Sequence, residues 1–161
     1  METIITTSSS KNYPYVHALG ATHAINYHDL NVFEQVMDIT NQQGVDVSLD
    51  CVGRDNDILA ASVLRYEGCM VELVKTLTPN NYQDAFTRGL SFHQLSLGSG
   101  HRYGAYGRNT IIKAGIAISA MLEEGQLNVP KLEIVNFKDI GGALIDMRNE
   151  RTVGKIVAKL I

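Results

Sequence analysis

Apolar positions along this chain alternate between two spacings, the two-residue period of a strand and the three- to four-residue period of a helix. Residues 45–50 alternate apolar and polar side chains, whereas apolar residues within 32–39 recur at helical spacing. By the same criteria, the other predicted strands are residues 3–8, 22–27, 69–75, 90–97, 131–135 and 154–160. The other predicted helices are residues 12–19, 58–66, 109–124 and 138–147. This alternation predicts an α/β fold with a mainly parallel sheet, and without a repeat or linker it predicts one domain over residues 1–161.

Composition excludes several classes of protein. The chain has 161 residues, 45% of them hydrophobic and 19% charged, which is ordinary globular usage and not that of a disordered protein. Its net charge of −3 and lack of a basic stripe argue against nucleic-acid binding. No apolar run is long enough for a membrane helix and the first residues do not form a secretory signal, so we expect a cytoplasmic protein with no membrane partner.

The cysteine and histidine residues do not have the spacing of a metal site. Cys51 and Cys69 lie far apart with no CxxC motif, and the five histidines form no HxH or HxxxH pair. We therefore expect no bound metal, and we expect both cysteines to be small buried side chains. Asp50, at the end of a predicted strand, is interpreted as a carboxylate that accepts local backbone hydrogen bonds, with a general base as the alternative.

The segments TTSSSK, LGATHAINY, GVDVSLDCVG, CMVELV, LSFHQLSLGS and GKIVAKL, in this order, resemble the cofactor-binding half of the medium-chain dehydrogenase/reductase superfamily. The quinone-oxidoreductase-like and zinc-type alcohol-dehydrogenase-like members are the most similar. The resemblance implies a Rossmann-like, mostly parallel sheet with helices on both faces, incomplete because the first strand and its glycine-rich turn are missing. That strand would lie between residues 3–8 and 45–50. The domain would thus be truncated at its N-terminus, and roughly its last 25 residues, a helix and a strand, would pack on an absent catalytic domain.

The resemblance also implies a cofactor site. Ser8, Ser9, Lys11 and Tyr27 would surround the 2′-phosphate of NADP(H), because a serine and lysine turn without an acidic residue suits a phosphate better than the ribose hydroxyl of NAD(H). In the same way, Val52 and Gly53 would line the adenosine and ribose pocket. The alternative from composition is that the Ser-Ser-Ser-Lys stretch is a loop that caps the helix beginning at Asn12.

Residues 98–104 form a GxGxxxG stretch, one residue too long for the dinucleotide-binding motif. A flexible connection is the preferred interpretation. In the alternative, His101, Arg102 and Tyr103 would face the nicotinamide end of the cofactor or a subunit contact.

The implied function is that of the cofactor-binding part of an NADP(H)-dependent oxidoreductase acting on a small carbonyl, alcohol or quinone substrate. We identify no catalytic residue in this part and expect it to be inactive alone. The alternatives are a non-catalytic nucleotide-binding or assembly module and an inactive truncated product.

The predicted strand at residues 90–97 contains no fixed charge, proline or other feature that blocks the pairing of edge strands. The resemblance implies that this strand is the outermost of the sheet and pairs with its symmetry mate. We therefore predict a homodimer through residues 90–97. The alternative is an interior strand that is covered on both sides.

Overall fold

The computed structural model describes residues 3–75, 77–149 and 152–160. These residues form the strands β1 Ile5–Ser8, β2 His23–Asn26, β3 Val45–Asp50, β4 Leu64–Glu72, β5 Ser91–Gln94, β6 Leu132–Asn136 and β7 Lys155–Lys159. The helices are α1 Tyr13–Ala18, α2 Val32–Ile39, α3 Asn56–Ser62, α4 Gly104–Glu123 and α5 Ile140–Arg148. Short 3-10 helices lie at Ser10–Asn12, Pro79–Asn81, Leu97–Tyr103 and Phe137–Asp139. The α/β prediction is confirmed.

Every pair of neighbouring strands in the described residues is parallel, as predicted. β1 pairs with β2, so that Ser8 lies opposite Asn26. β3, β4 and β5 form a second sheet in that order, in which Asp50 lies opposite Glu72 and Glu72 opposite Gln94. β6 pairs with β7 in a third sheet. Three polar residues therefore form a row across the carboxyl ends of β3, β4 and β5.

The first and second sheets do not join. Among the described strands, β1 pairs only with β2, and β3 pairs only with β4. The sheet therefore does not close across the position where the family resemblance places a further strand. One face of β3 is also uncovered, since Val47 and Leu49 are exposed, Leu49 to 60%.

The chain consists of two compact units, Met1–Arg108 and Asn109–Ile161. In the first unit, the apolar residues of α2 and α3 pack against the strands, which explains why these segments carry apolar side chains at helical spacing. One buried cluster contains Ile25, Val32, Val36 and Val63, and the other contains Ala60, Ala61, Leu64, Met70 and Tyr82. Full burial of a side chain such as Met70 contributes about 2 kcal/mol.

The second unit is described separately. Its sheet of β6 and β7 begins where the backbone N–H of Lys155 donates to the carbonyl of Lys131 at 2.8 Å. None of the described helices is long and apolar enough to cross a membrane.

The boundary between α3 and β4 differs from the prediction. The helix was expected to reach Tyr66, but α3 ends at Ser62 and β4 begins at Leu64. The ladder with β3 is irregular here, since its register shifts between Val45 and Val47. A left-handed φ of 57° at Glu67 accompanies this irregularity. Alternation within an irregular strand is hard to distinguish from helical spacing in the sequence.

A buried carboxylate links α3 to the segment after β4. Asp57 is fully buried, and its Oδ2 accepts hydrogen bonds from the Thr78 N–H at 2.9 Å, the Thr78 hydroxyl at 2.7 Å and the Tyr82 hydroxyl at 2.7 Å. Burial alone would raise the pKa of Asp57, but these hydrogen bonds outweigh it and lower the pKa below its ordinary value. Burial, followed by the hydrogen bond to Asp57, raises the pKa of Tyr82 to about 12. At neutral pH the side chain of Asp57 is therefore ionised and the side chain of Tyr82 is neutral.

We expect Tyr82→Phe to reduce the free energy of unfolding by ~1.5–3 kcal/mol at neutral pH, because a buried hydrogen bond to a charged group is lost while the ring remains. The folded-state pKa of Tyr82 exceeds the ordinary value of 10.0, so its contribution is complete below pH 10 and lost as pH rises towards about 12. Urea unfolding from pH 7 to pH 11 measures both effects. Tyr66→Phe, at an exposed position, is the control. Equal alkaline destabilisation of wild type and Tyr82→Phe would contradict this account.

Candidate functional site

Asp50, at the carboxyl end of β3, accepts hydrogen bonds that stabilise the turn after this strand. Its side chain is fully buried, and its Oδ1 accepts hydrogen bonds from the N–H groups of Val52 at 2.8 Å and Gly53 at 3.1 Å and from the amide of Asn56 at 3.0 Å. The interpretation of Asp50 as a carboxylate bound to local backbone groups is confirmed. This position makes it a positioning residue for the loop after β3.

The turn after β3 presents one apolar side chain and one closely packed glycine. Val52 is 72% exposed, whereas Gly53 is buried with a φ of 80°, a left-handed conformation that favours glycine. An exposed apolar side chain at the carboxyl end of a parallel strand offers a surface on which a flat ligand can pack. The structure therefore places Val52 and Gly53 at this end of the sheet, as expected from the sequence.

The serine-rich turn begins at the last residue of β1. Ser8 is half-buried and its hydroxyl donates to the carbonyl of Ser9 at 3.3 Å. Lys11 follows in the 3-10 helix Ser10–Asn12 and is exposed. Neither Ser9 nor Asn12 makes a side-chain hydrogen bond that caps the helical segment after it. Helix capping therefore does not account for these side chains.

Lys11 has no ion-pair partner among the described residues. Within this part of the chain, the ion pair joins Arg65 and Asp46. Tyr27 directly follows β2, is exposed, and packs its ring against that of His28 with a centroid distance of 4.3 Å. No hydrogen bond in the described part of the chain joins Tyr27 to Lys11 or to the serines. The structure thus places Ser8, Lys11 and Tyr27 after neighbouring strands without bringing them into contact.

A second group of polar residues, not predicted as a site from the sequence, lies at the carboxyl ends of β4 and β5. Glu72 is buried and its Oε2 accepts a hydrogen bond from the Gln94 amide at 2.9 Å. Both residues line a cleft of about 490 Å³, together with Lys75, Arg102 and Tyr103. The sequence provided one indication of this cleft, the alternative in which residues 101–103 face a ligand. Residues 98–104, expected to be a flexible connection, instead lie in the 3-10 helix Leu97–Tyr103 and at the start of α4, and the strand expected over residues 90–97 is shorter, Ser91–Gln94.

The described residues do not fit a zinc ion. They contain no group of three or more histidine, cysteine, aspartate or glutamate side chains that could hold a metal. The expectation that both cysteines are buried is wrong, because Cys51 is exposed and Cys69 half-buried. Cys51 lies just beyond the end of β3, where the uncovered face of this strand continues into the turn.

Comparison with known proteins gives consistent matches. The chain matches the zinc-binding dehydrogenase family over residues 19–157. It is similar to the crystal structure of the CurK enoyl reductase, with a TM-score of 0.79, 22% identity and coverage of 98% of this chain and 47% of that one. It is similar to a quinone oxidoreductase of Pseudomonas syringae pv. tomato, with a TM-score of 0.77, 24% identity and coverage of 98% and 49%.

A third similar structure is the alcohol dehydrogenase of the hyperthermophilic archaeon Aeropyrum pernix, with a TM-score of 0.73, 18% identity and coverage of 98% and 43%. At these identities the structures establish the Rossmann-like fold and not a shared substrate. The chain spans about half the length of each of these neighbours. Because the family match extends over most of the sequence, the chain belongs to the zinc-binding dehydrogenase family, within the medium-chain dehydrogenase/reductase superfamily of oxidoreductases.

Proposed function

We propose that this chain is the cofactor-binding part of an NADP(H)-dependent oxidoreductase that reduces or oxidises a small carbonyl, alcohol, enone or quinone compound. The observation that carries the cofactor preference is the serine and lysine turn after β1. Residues 7–11 contain no acidic side chain, and Lys11 forms no ion pair with any described residue. An ammonium group and hydroxyl groups are suitable donors to a phosphate, whereas an acidic residue in this turn would bind the ribose hydroxyl of NAD(H).

Each site residue then has a distinct role in holding the cofactor. Ser8 and Ser9 donate hydroxyl hydrogen bonds to the 2′-phosphate, and Lys11 donates a charge-assisted hydrogen bond to it. Tyr27 packs beside the phosphate, while Val52 and Gly53 line the adenosine and ribose pocket. When bound, the cofactor supplies the hydride, and this chain supplies binding and orientation.

The donor set fits only part of a dinucleotide. The sequence has no GxGxxG motif near its start, so the backbone groups that bind a pyrophosphate at a helix N-terminus are not among these residues. The part that fits is the adenosine 2′-phosphate end. We therefore expect weak binding of NADP(H) that nevertheless distinguishes it from NAD(H).

Isothermal titration of this chain with NADPH and with NADH tests the proposal. We expect NADPH to bind more tightly, and we expect Lys11→Glu to weaken NADPH binding about a hundredfold, because it replaces an attractive charge with a repulsive one. Lys113→Glu, which makes the same charge change on the exposed surface of α4, is the matched control and should leave the affinity unchanged. Equal affinities for the two cofactors, or tighter binding of NADH, would overturn the NADP(H) assignment.

The exposed apolar residues of the second unit support the proposal that its last helix and strand pack on a catalytic domain. Leu144 and Ile145 on α5 are exposed to 58% and 61%, and Val157 on β7 and Leu160 directly after it are exposed as well. Several exposed apolar side chains on so short a segment are typical of an interaction site. The cytoplasmic location, the absence of nucleic-acid partners and the homodimer stay predictions.

A further inference from the structure

The amino-terminal end of β4 borders a cavity that is separate from the residues assigned to the cofactor. This α2–β4 cavity has a volume of about 330 Å³, which is enough for a small molecule. Phe33 and Met37 of α2 line one side, and Leu64 and Tyr66 of β4 line another. Residues 83, 84 and 88, in the turn before β5, also line it. The residues assigned to the cofactor follow the carboxyl ends of the strands, whereas this cavity lies at the start of β4.

Aromatic side chains form much of the apolar part of the lining. Phe33 and Met37 are four residues apart and therefore lie on the same face of α2. Phe33 is 39% exposed and Tyr66 is 63% exposed, whereas Leu64 is buried. Aromatic rings attract organic cations as well as apolar groups, because the face of the ring carries partial negative charge. The α2–β4 cavity therefore offers a ligand two accessible rings.

The two arginine side chains of the lining are engaged by other groups of the protein. Arg65 forms an ion pair with Asp46, in which the Arg65 Nε lies 2.6 Å from the Asp46 Oδ1. Arg88 donates to three backbone carbonyls around the end of α3, those of Ala61, Ser62 and Leu64. A helix C-terminus carries partial negative charge, so the guanidinium of Arg88 stabilises the end of α3.

The remaining charge in the lining is the carboxylate of Asp84. This residue is exposed, and its side chain forms no ion pair or hydrogen bond with any described residue. Its φ of 53° is left-handed, a conformation that aspartate and asparagine adopt more readily than most other side chains. Among the described residues, the charge of the cavity that is left uncompensated is therefore negative.

Backbone contacts fix the turn that carries Asp84 against β4. The carbonyl of Asp84 accepts a hydrogen bond from the N–H of Arg88 at 2.8 Å, and the carbonyl of Arg88 accepts one from the N–H of Glu67 at 2.8 Å. Glu67 directly follows Tyr66 and has a left-handed φ of 57°, which costs a glutamate free energy. Residues held in such conformations are concentrated at binding and catalytic sites. These contacts determine where Asp84 and Tyr66 lie in the lining.

We propose that the α2–β4 cavity binds a small organic cation, an ammonium group attached to an aromatic or aliphatic body. The ammonium group donates a charge-assisted hydrogen bond to Asp84, and the rings of Phe33 and Tyr66 pack against the body of the ligand. An anion would have to compete with Asp46 for Arg65 and would be repelled by Asp84. The proposal goes beyond the proposed function, since no lining residue belongs to the cofactor site.

Backbone amide NMR shifts of this chain, recorded during titration with phenethylamine, test the proposal. Phenethyl alcohol and phenylpropionate carry the same ring with a neutral and an anionic head group, so they are the matched ligands. We expect saturable shifts at residues 33, 37, 66 and 84 with phenethylamine. The other two ligands should bind about tenfold more weakly or less, because neither forms a charge-assisted hydrogen bond with Asp84.

Asp84→Asn should weaken the binding of phenethylamine about tenfold and leave that of phenethyl alcohol unchanged. Asparagine tolerates the same left-handed backbone, so this variant removes the charge and keeps the turn. Tyr66→Leu should weaken the binding of both ligands, because it removes one of the two rings. The control is Glu34→Gln, which removes the charge of an exposed carboxylate next to Phe33 but outside the lining, and it should leave both affinities unchanged.

Three results would overturn the proposal. Shifts that grow linearly without saturation would show that the cavity holds no amine. Binding of phenylpropionate as tight as that of phenethylamine would show that the arginines, and not Asp84, select the ligand. An unchanged affinity for phenethylamine in Asp84→Asn would show that the carboxylate does not contact the ammonium group.

Discussion

Purified alone, this chain should not oxidise NADPH in the presence of quinones, enones or aldehydes, and it should not reduce NADP with alcohols. Hydride transfer requires the cofactor and the substrate to be held about 3–3.5 Å apart, and a misplacement of about 1 Å can reduce the rate a hundredfold. This chain spans about half the length of the similar oxidoreductases. In the proposed function its strand ends hold the adenosine part of the cofactor, and its sequence contains no GxGxxG motif near its start.

Absorbance at the NADPH band, followed with and without each substrate, measures this prediction. The same preparation must bind NADPH by calorimetry, so that a lack of turnover is not attributed to unfolded protein. Oxidation of NADPH that depends on a substrate and is lost in Lys11→Glu would show that this chain is sufficient for catalysis. Binding without turnover is also the result expected of a non-catalytic nucleotide-binding module, and activity regained on addition of a separate catalytic domain distinguishes the two.

The spacing of apolar residues correctly predicted those helices and strands whose boundaries depend on residues nearby in the sequence. Residues 32–39 and 45–50 form α2 and β3 as expected. In α2 the buried Val32 and Val36 follow the helical period, whereas in β3 the buried positions are the polar Ser48 and Asp50, opposite to the apolar side chains that indicated the strand. The α3 and β4 boundary was missed since it depends on a register shift against a different strand. In the same way, residues 97–103 form a 3-10 helix that packs against the start of α4, a contact between glycines that leaves no apolar pattern.

The candidate site was predictable where its residues are adjacent in sequence. Asp50, Val52 and Gly53 lie within four positions, so the hydrogen bonds from the turn to Asp50 follow from local geometry. The second cleft was not predictable in this way, because Lys75 and Arg102 are distant in sequence. They reach one cleft because β4 and β5 pair with Glu72 opposite Gln94. Strand register, which depends on pairing between segments that are distant in sequence, therefore decides which polar residues meet.

We expect this chain to be a homodimer in solution, formed by antiparallel pairing of residues 90–97 with the same residues of a second copy. β5 lies at the edge of the second sheet, and no described strand pairs with its outer side. Among the described strands β5 is therefore an edge strand, and the alternative that residues 90–97 form an interior strand is wrong. His93, Leu95 and Leu97 are exposed, and the strand carries no charge that would oppose pairing.

Replacing both His93 and Leu95 with lysine should convert the dimer to a monomer. An isologous contact brings residues near the two-fold axis close to their own copies, so each added charge would face the same charge in the other subunit. Light scattering at several concentrations measures the mass. The control is the double variant Leu30→Lys and Phe86→Lys, which adds the same charge at two fully exposed positions outside β5. If the wild-type chain is monomeric at high micromolar concentration, pairing through this edge does not occur. If the dimer persists in the His93 and Leu95 variant, the interface lies on another surface, and the uncovered face of β3 around Val47 and Leu49 is the next to test in the same way.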